Sequence, residues 1–382
     1  MPGKTFRIEL LPAAHGDALW VEYGPRSAPH RIVIDGGPAS SYEKGLRARL
    51  LLLPKPRVID LFVVTHIDAD HIDGPIVLLQ EAEALGVRFK EIWFNAWQQL
   101  VTLKGDDLAP LQGEFLAGLL HARKDVWNLT TAGRAVVTTE ARRELPGGAR
   151  LTLLSPGPDQ LRRLRARWEA AIRDFDAGDW VEALKRLKER RDYRPPPAPP
   201  IFGDRSPGGD RAAANGSSIA FLLEYAGASC LFGGDAHARV LASSLRGLLN
   251  ARGAAQGAAL VVDAVKLPHH GSIGNVSDEL LDLIQSPRWL VSTNGAIFDH
   301  PDAETAPLIA RHSRKVPEFL CNYRSDSTRR FADAQTPPRW TVRYADEPGL
   351  AGPAGGLLVD LLSPRSAPRK KKKAAPPKRK RR

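Results

Sequence analysis

The chain has 382 residues, of which 43% are hydrophobic and 26% are charged, as in a typical soluble globular protein. No uninterrupted apolar stretch approaches the ~20 residues needed to span a bilayer, and Met1–Tyr23 lacks the basic start and apolar middle of a signal peptide. We therefore expect a cytoplasmic protein with no membrane partner. Cys230 and Cys321 fit neither a disulfide framework nor a CxxC metal knuckle, and both are predicted to lie in the core.

The net charge of +12 belongs to the C-terminal end of the chain. Residues 369–382 contain ten Lys or Arg and no acidic residue, and without them 45 basic residues face 43 acidic ones. A segment this basic and Pro-rich cannot bury a core, so we predict one folded domain over 1–362 and a disordered tail over 363–382. The tail either binds polyanions such as DNA or RNA by counterion release, or only raises solubility.

The first part of the chain alternates strands with helices. Apolar periodicity and turn residues predict strands at 6–10, 18–22, 31–34, 61–65, 91–94 and 150–154, and helices at 41–53, 75–85 and 108–123. Pro75 suits the first residue of a helix, and Gly86 suits its end. This alternation indicates a layered α/β domain.

Residues 158–210 differ in character from their surroundings. Apolar residues recur there at helical spacing, which predicts two helices, and the Pro-rich Pro195–Pro200 follows them. We interpret the block as an insertion or lid that hangs from the domain. Its basic faces either are merely solvated, which is the commoner case, or guide an acidic substrate.

The second half repeats the alternation of the first. Strands are predicted at 219–224, 229–232, 263–267, 289–292, 317–321 and 340–344, with helices at 236–250, 277–285 and 302–312. Four strands of the chain end in Asp or His and are followed by a helix. Polar groups at strand ends of a layered α/β domain converge on one edge, where binding sites are usually built.

The most informative segment is His66–Gly74, which holds two imidazoles and three carboxylates directly after the apolar run Leu61–Val64. Crowding such groups is costly unless a divalent cation compensates for it. Asp235 and the pair His269-His270 arrive from later strand ends, which gives enough ligands for a two-metal site. Taken alone, Asp35 would more often be a turn residue, and a His-His pair would be ambiguous.

The distribution of histidines supports the metal interpretation. Five of the ten lie in these motifs, namely His66, His71, His269, His270 and His300. Four others are expected at the surface, namely His30, His121, His237 and His312. The sequence leaves the place of His15 open.

The segment Thr65-His66-x-Asp68-x-Asp70-His71 resembles the signature of the metallo-β-lactamase fold superfamily. The usual signature has His where Asp68 stands, and this HxDxDH variant resembles the branch that contains the hydrolase domain of the competence protein ComEC. Further resembling motifs follow in the branch's order: His15-Gly16-Asp17-Ala18, Ile34–Gly37, Leu153–Pro156, Asn215-x-x-Ser218, Phe232–Asp235, Leu267–Ser272, Ser292–Gly295 and His300-Pro301. The resemblance spans about residues 6–345 and implies a four-layer αββα sandwich.

The resemblance also implies roles for individual residues. One ion would be held by His66 and Asp68, the second by Asp70 and His71, and Asp235 would bridge or lie near both. His269 is favoured over His270 as the ligand that completes the second site, and the other ring would face the substrate.

Three further residues are implied to surround these ligands. Asp35 would orient ligands from outside the centre. Asn215 and Ser218 stand where the superfamily has a further His, so the first ion would have fewer protein ligands. We expect one or two divalent ions, Zn²⁺ or Mn²⁺, and the carboxylate-rich set favours effective competition by Mn²⁺.

The leading functional hypothesis is metal-dependent hydrolysis of a phosphodiester in DNA or RNA, as the resemblance implies. Asp70 would be essential to this activity, and His270 or His300 would protonate the leaving oxygen. One alternative is a small-molecule ester, thioester or lactam hydrolase, because a fold does not fix a function. The other is a metal-stabilised module that binds nucleic acid without turnover.

Overall fold

Two β-sheets pack face to face in the computed structural model, which describes residues 3–100, 111–138, 142–171, 176–189, 210, 212–333 and 339–363. The Pro-rich stretch Pro195–Pro200 and the basic residues 369–382 lie outside the described residues, as does almost all of the predicted tail.

The first sheet has six strands, which begin as antiparallel hairpins and end as parallel neighbours. Across the sheet the strands are Leu357–Asp360, Lys4–Leu10, Leu19–Pro25, His30–Ile34, Leu61–Val63 and Ile92–Trp93. The first of these, Leu357–Asp360, was not predicted, and it pairs antiparallel with Lys4–Leu10 at the sheet edge.

The second sheet has eight strands, of which the first five across the sheet are parallel and the rest antiparallel. In order they are Thr341–Tyr344, Glu318–Cys321, Arg288–Val291, Ala264–Lys266, Ala228–Phe232, Ala220–Tyr225, Ala149–Ser155 and Arg142–Leu145. Two small parallel pairs accompany the main sheets, Arg57–Ile59 with Val87–Phe89 and Leu260–Val261 with Ile284–Gln285. Neither small pair was predicted.

Helices cover the outer faces of both sheets. On the first half they are Ala39–Tyr42, Glu43–Arg47 (a π-helical turn), Ala48–Leu51, Ala69–Leu85, Trp97–Leu100, Leu111–His121, Pro158–Ala171 and Trp180–Glu189. On the second half they are Ala213–Gly216, Ala238–Ala251, Asp278–Leu281, Thr305–His312 and Asp326–Asp333. In the described part of the chain, no helix combines the length and the apolar character that crossing a bilayer requires.

Three buried hydrophobic clusters correspond to the three interfaces of a four-layer sandwich. The cluster between the sheets contains Phe6, Ile8 and Val21 from one sheet with Phe221 and Phe232 from the other. One outer cluster joins the first sheet to its helices, and another does so for the second sheet. Side chains alternate between the two faces of a strand, so a single strand contributes residues both to the cluster between the sheets and to the outer cluster under the helices. The predicted αββα architecture is confirmed.

The helix after Leu61–Val63 begins at Ala69, six residues before the predicted start at Pro75. A proline inside a helix has no N–H, so Pro75 leaves the carbonyl of His71 without its helical donor. That carbonyl instead accepts a hydrogen bond from Gly36 N at 3.1 Å. Asp70 and His71 therefore lie on the first helical turn, not in a loop.

The described part of the insertion, residues 158–171 and 176–189, packs on the domain, where the sequence analysis expected an insertion or lid that hangs from it. Leu164, Trp168 and Leu187 are buried in the outer cluster of the first sheet. Trp168 Nε1 donates to Glu114 Oε1 at 2.7 Å, and Gly178 N donates to the same oxygen at 2.9 Å. The apolar stripes of the two predicted helices therefore face the domain, as expected of amphipathic helices.

Candidate metal centre

The loops that follow strands of both sheets meet at one edge of the sandwich. Asp35 and His66 follow strands of the first sheet, and Asp70 and His71 stand at the start of the next helix. The second sheet contributes residues that stand one to four positions after a strand end, namely Asp235, His269, His270 and Ser292. The predicted convergence of strand-end residues is therefore present in the structure.

Asp235 lies at the centre of the cluster. Its Oδ2 atom is 3.4 Å from His71 Nε2 and 3.7 Å from His269 Nε2. The same oxygen is 3.9 Å from the Nε2 atoms of both His66 and His270. One carboxylate therefore faces four imidazoles, which is the position that the sequence analysis gave to a bridging ligand.

Two groups of three residues have ligand atoms close enough to hold a cation. The first is His66, His71 and Asp235, and the second is Asp70, His71 and His270, with the ligand atoms of each group within 4.8 Å of one another. All five residues are buried. Asp68 lies beside the first group, with Oδ2 at 3.4 Å from His66 Nε2 and a partly exposed side chain.

Each ligand imidazole is oriented by a partner on its other nitrogen. His66 Nδ1 is 2.9 Å from Thr65 Oγ1, His71 Nδ1 is 2.8 Å from Asp35 Oδ2, and His270 Nδ1 is 2.8 Å from the Ser292 carbonyl oxygen. Asp35 is fixed in turn, because it accepts hydrogen bonds from Thr65 N and Thr65 Oγ1. Contacts of this kind set the tautomer and direction of metal-binding histidines.

Five buried atoms of the cluster make no hydrogen bond, although oppositely charged groups lie 3.3–3.9 Å from the three imidazoles. The buried, unpaired atoms are Nε2 of His66, His71 and His270, Oδ1 of Asp235 and Oδ1 of Asp68. Leaving a buried polar atom unpaired costs about 1–3 kcal/mol, so five together in one place require an explanation. Imidazole nitrogens and carboxylate oxygens are ligands of divalent ions, and these residues therefore fit a metal ion.

The electrostatics of the cluster are strongly coupled. Burial disfavours the ionised form of Asp235, but the attraction of His71, His269 and His270 outweighs it and holds the pKa well below the usual range. Burial also disfavours the protonated forms of His269 and His270, but nearby carboxylates outweigh it and raise their pKa values to about 10 and about 9. The centre is thus built to concentrate negative charge that a cation can neutralise, and metal binding would displace protons.

The structure places the neighbours His269 and His270 in different environments. His270 Nε2 points at Asp70 Oδ2, 3.3 Å away, whereas the ring of His269 lies 5.1 Å from the ring of His300. Both residues have left-handed backbone angles, φ 46° and 54°, in a short turn that directs their rings apart. His270 reaches both Asp70 and Asp235 and belongs to a ligand group, whereas His269 reaches Asp235 but belongs to neither group. This arrangement favours His270 as the ligand, whereas the sequence analysis favoured His269.

A buried polar network, of which the sequence analysis assigned only Asn215, supports His269. Its Nδ1 atom is 2.9 Å from Asn275 Oδ1 and 3.6 Å from Asp210 Oδ2. Asp210 also accepts hydrogen bonds from the amides of Asn215 and Asn275 at 2.8 and 2.9 Å. In the sequence, Asp210 is the last residue of the predicted insertion, and nothing there indicates that it lies near the metal centre.

The remaining predicted residues lie around this cluster. Ser218 Oγ accepts from Asp235 N at 3.0 Å, so it fixes the loop of the central carboxylate. His300 is buried, with Nδ1 at 3.3 Å from Asp302 Oδ1. His237 was expected at the surface but is buried. Its Nε2 lies 2.9 Å from the Ala212 carbonyl oxygen, which gives the buried ring a hydrogen-bond partner.

An aromatic rim borders the centre. The ring of Phe298 lies 6.1 Å from both the His15 and the His300 rings, and neighbouring Ile297 is 54% exposed. Exposed apolar and aromatic groups beside a polar centre are suited to contact a planar group of a ligand.

No family profile and no curated protein matches the chain. Among solved structures, it is similar to the metallo-β-lactamase fold protein YhfI from Bacillus subtilis (10% identity, 92% of this chain and 99% of that one, TM-score 0.40). It is also similar to Zn²⁺-bound PqqB from Methylobacterium extorquens (14%, 93% and 100%, 0.40) and to CmlA, a diiron β-hydroxylase from Streptomyces venezuelae (14%, 82% and 51%, 0.39). The chain spans about half the length of the CmlA protein. At these identities and TM-scores the likeness says nothing about activity, so the chemistry is argued from the residues of this chain.

Proposed function

We propose that the chain is a metal-dependent hydrolase that cleaves phosphodiesters, with DNA or RNA as the substrate class. The observation that carries the proposal is the convergence of three buried, unpaired Nε2 atoms on Asp235. The two ligand groups overlap at His71, whose Nε2 has one lone pair and can bind only one ion. The carboxylate of Asp235, at 3.4–3.9 Å from imidazoles of both groups, is the residue suited to bridge a pair of neighbouring ions. Divalent ions there would activate a water molecule and neutralise charge on the phosphoryl oxygens.

The residues outside the ligand groups supply the proton chemistry in this proposal. His269 is held through Nδ1 by Asn275 and Asp210, so its Nε2 can face a substrate. We assign His269 to donate a proton to the leaving oxygen. The ring of His300 packs against it, 5.1 Å away. The buried setting excludes bulk water and strengthens each of these electrostatic contacts.

Phosphodiesters are favoured over esters, thioesters and lactams for three reasons. The centre combines three histidines with the carboxylates Asp68, Asp70 and Asp235, and such oxygen-rich sets suit the harder ions used in phosphoryl chemistry. The aromatic rim around Phe298 offers a surface on which a nucleobase can stack. The ten basic residues of 369–382 add attraction for polyanions.

The test uses protein freed of metal by chelation and reloaded with Mn²⁺ or Zn²⁺. The substrate panel contains single-stranded DNA, RNA, bis(p-nitrophenyl) phosphate, p-nitrophenyl acetate and a chromogenic lactam. Asp70→Asn keeps the side-chain shape and removes the charge, so kcat/KM for the phosphodiesters should fall by more than ~100-fold, the upper limit for losing even an indirect partner of a metal site. Circular dichroism should show the fold intact.

The matched control is Asp326→Asn, because the Asp326 side chain is 98% exposed and pairs with Arg329 at the surface. It should retain full activity. Undiminished phosphodiesterase activity in Asp70→Asn would refute the site, and turnover of the ester or lactam alone would refute the substrate class. Rescue by Zn²⁺ with Mn²⁺ inert would refute the preference for harder ions.

A further inference from the structure

A buried ion pair, Lys266 with Asp17, lies directly behind the candidate metal centre. Lys266 Nζ is 2.6 Å from Asp17 Oδ2, and the two residues are 0% and 1% exposed. Lys266 is the last residue of a strand in the second sheet, and Asp17 lies in the turn before Leu19–Pro25 of the first. The pair therefore joins the two sheets at the edge where the site is built.

An ion pair at this depth is not explained by stability alone. Lysine is almost never fully buried unless it is paired, and removing the charges from water costs several kcal/mol per ion. Apolar residues of similar size at such positions are often as stable or more so. Lys266 Nζ has one further partner, the Leu267 carbonyl oxygen at 2.9 Å. The chain thus maintains an expensive charge beside the ligands.

Asp17 connects this pair to a ligand imidazole. Its second oxygen, Oδ1, has no hydrogen-bond partner and lies 3.4 Å from His270 Nδ1, which is also 2.8 Å from the Ser292 carbonyl oxygen. A carboxylate and a carbonyl can only accept, so Nδ1 must carry the hydrogen. The lone pair is then on Nε2, the atom that faces Asp70.

The backbone of Asp17 connects the pair to a second ligand. Asp17 N donates to the Asp70 carbonyl oxygen at 3.2 Å, at the start of the helix that carries Asp70 and His71. The preceding Gly16 allows this approach, since a Cβ at that position would collide with the Asp70 backbone. One residue thus contacts both the ring of His270 and the helix turn of Asp70.

We propose that Lys266 and Asp17 are positioning residues of the metal centre: Lys266 holds the Asp17 carboxylate so that Asp17 fixes the His270 tautomer and the helix turn of Asp70. The inference rests on the metal centre of the proposed function and not on its substrate. Without Lys266, Asp17 loses its restraint and His270 is free to turn or to exchange its proton between nitrogens. The ligand set of Asp70, His71 and His270 should then bind an ion less tightly.

The experiment measures metal binding directly. Wild type, Lys266→Met and Asp17→Asn are stripped of metal and titrated with Zn²⁺ by calorimetry, and the Co²⁺ forms are compared by visible absorption, which reports ligand geometry. Both variants should bind the ion held by Asp70, His71 and His270 about 10–100-fold less tightly and show an altered Co²⁺ spectrum. The control is Arg49→Met, which breaks another buried ion pair (Arg49 Nε to Glu9 Oε2, 2.7 Å) remote from the centre. It should lower the Tm but leave the spectrum and affinities unchanged.

The double variant Lys266→Met/Asp17→Asn separates positioning from folding, because it leaves no lone buried charge. It should regain thermal stability relative to Lys266→Met without regaining metal affinity. Wild-type affinity and spectrum in Asp17→Asn and the double variant would overturn the proposal, whatever their Tm. Should Lys266→Met fail to fold, these two variants still decide. Failure of the phosphodiesterase assay would leave all of these readouts intact.

Discussion

At the scale of single residues, the centre depends on how adjacent side chains are divided between tasks. His269 and His270 are identical in type and both approach Asp235, yet only His270 also reaches Asp70, while the ring of His269 lies against that of His300. The sequence could predict that the pair belongs to the site, because both follow a strand end. It could not predict the division, because this depends on two consecutive left-handed residues that sequence patterns do not reveal.

This division predicts different phenotypes for the two alanine variants. His270→Ala removes a proposed ligand, so Zn²⁺ affinity at the site of Asp70, His71 and His270 should fall by more than ~10-fold, and activity should fall with it. His269→Ala removes the proposed proton donor, so metal content should stay near wild type while kcat falls by about 10²–10⁴-fold. Elemental analysis after dialysis, paired with steady-state kinetics, measures both.

The reverse result, metal loss in His269→Ala and metal retention in His270→Ala, would restore the assignment favoured by the sequence. His312→Ala is a suitable control, because His312 contacts Asp278 and Asp282 at the surface, away from the centre. It should resemble wild type in both measurements.

That the candidate ligand residues would lie together was predictable for a physical reason. His66, Asp70, His71 and Asp235 stand close to apolar strands, and a crowded polar group at the end of a buried strand has few structural explanations. Asp17 lies in one of the resembling motifs and Lys266 stands three residues before His269, but neither was given a role, and Asp210 was not singled out at all. Only their three-dimensional contacts distinguish them.

At the scale of elements, the start of helix Ala69–Leu85 shows a limit of local rules. Pro75 is a good first residue of a helix, but the loop around Gly36 supplies the hydrogen bond that an internal proline forfeits. Gly36 and Gly74 approach so closely that a Cβ on either would collide with the other's backbone. Such compensation comes from a distant segment, so the local sequence cannot indicate it.

The docking of the insertion predicts a pH-dependent effect at Glu114. Its Oε1 accepts from Trp168 Nε1 and Gly178 N, while Oε2 is buried and unpaired. Burial raises the pKa of Glu114, so ionisation costs stability as pH rises through the folded-state pKa. Glu114→Gln keeps the acceptor without the charge. In urea titrations, the free energy of unfolding of Glu114→Gln minus that of wild type should therefore be larger at pH 8 than at pH 5.

Glu114→Ala is the matched comparison, since it removes the acceptor as well as the charge. It leaves two buried N–H groups unpaired and should cost about 1–3 kcal/mol at both pH values. If Glu114→Gln follows wild type at both pH values, burial of this carboxylate does not affect stability. If Glu114→Ala costs nothing, the contacts with Trp168 and Gly178 do not hold the insertion.

At the scale of the whole molecule, the layer order followed from the sequence, while some of the pairing did not. Alternating strands and helices on both halves indicate only a layered α/β domain, and the expectation of two sheets between helical layers came from the resemblance of the motifs to the metallo-β-lactamase fold. The edge pairing of Leu357–Asp360 with Lys4–Leu10 joins segments more than 300 residues apart, and no local pattern specifies such a partner. The two halves each supply ligands, so a bound ion would also tie the sheets together at one edge.

The charge distribution of the whole chain leads to the last prediction. The ten basic residues of 369–382 account for most of the net charge of +12, and the remainder is nearly neutral. Binding of single-stranded DNA through them should weaken with salt by about 0.7 in log K per log unit of salt for each phosphate neutralised. Replacing the ten with Gln should therefore flatten this slope by several units in anisotropy titrations. Turnover of bis(p-nitrophenyl) phosphate should be unchanged, because a small diester needs only the centre. An unchanged salt slope would instead place the nucleic-acid contacts on the folded domain, and a loss of turnover of the small diester would assign the basic residues a part in the active site itself.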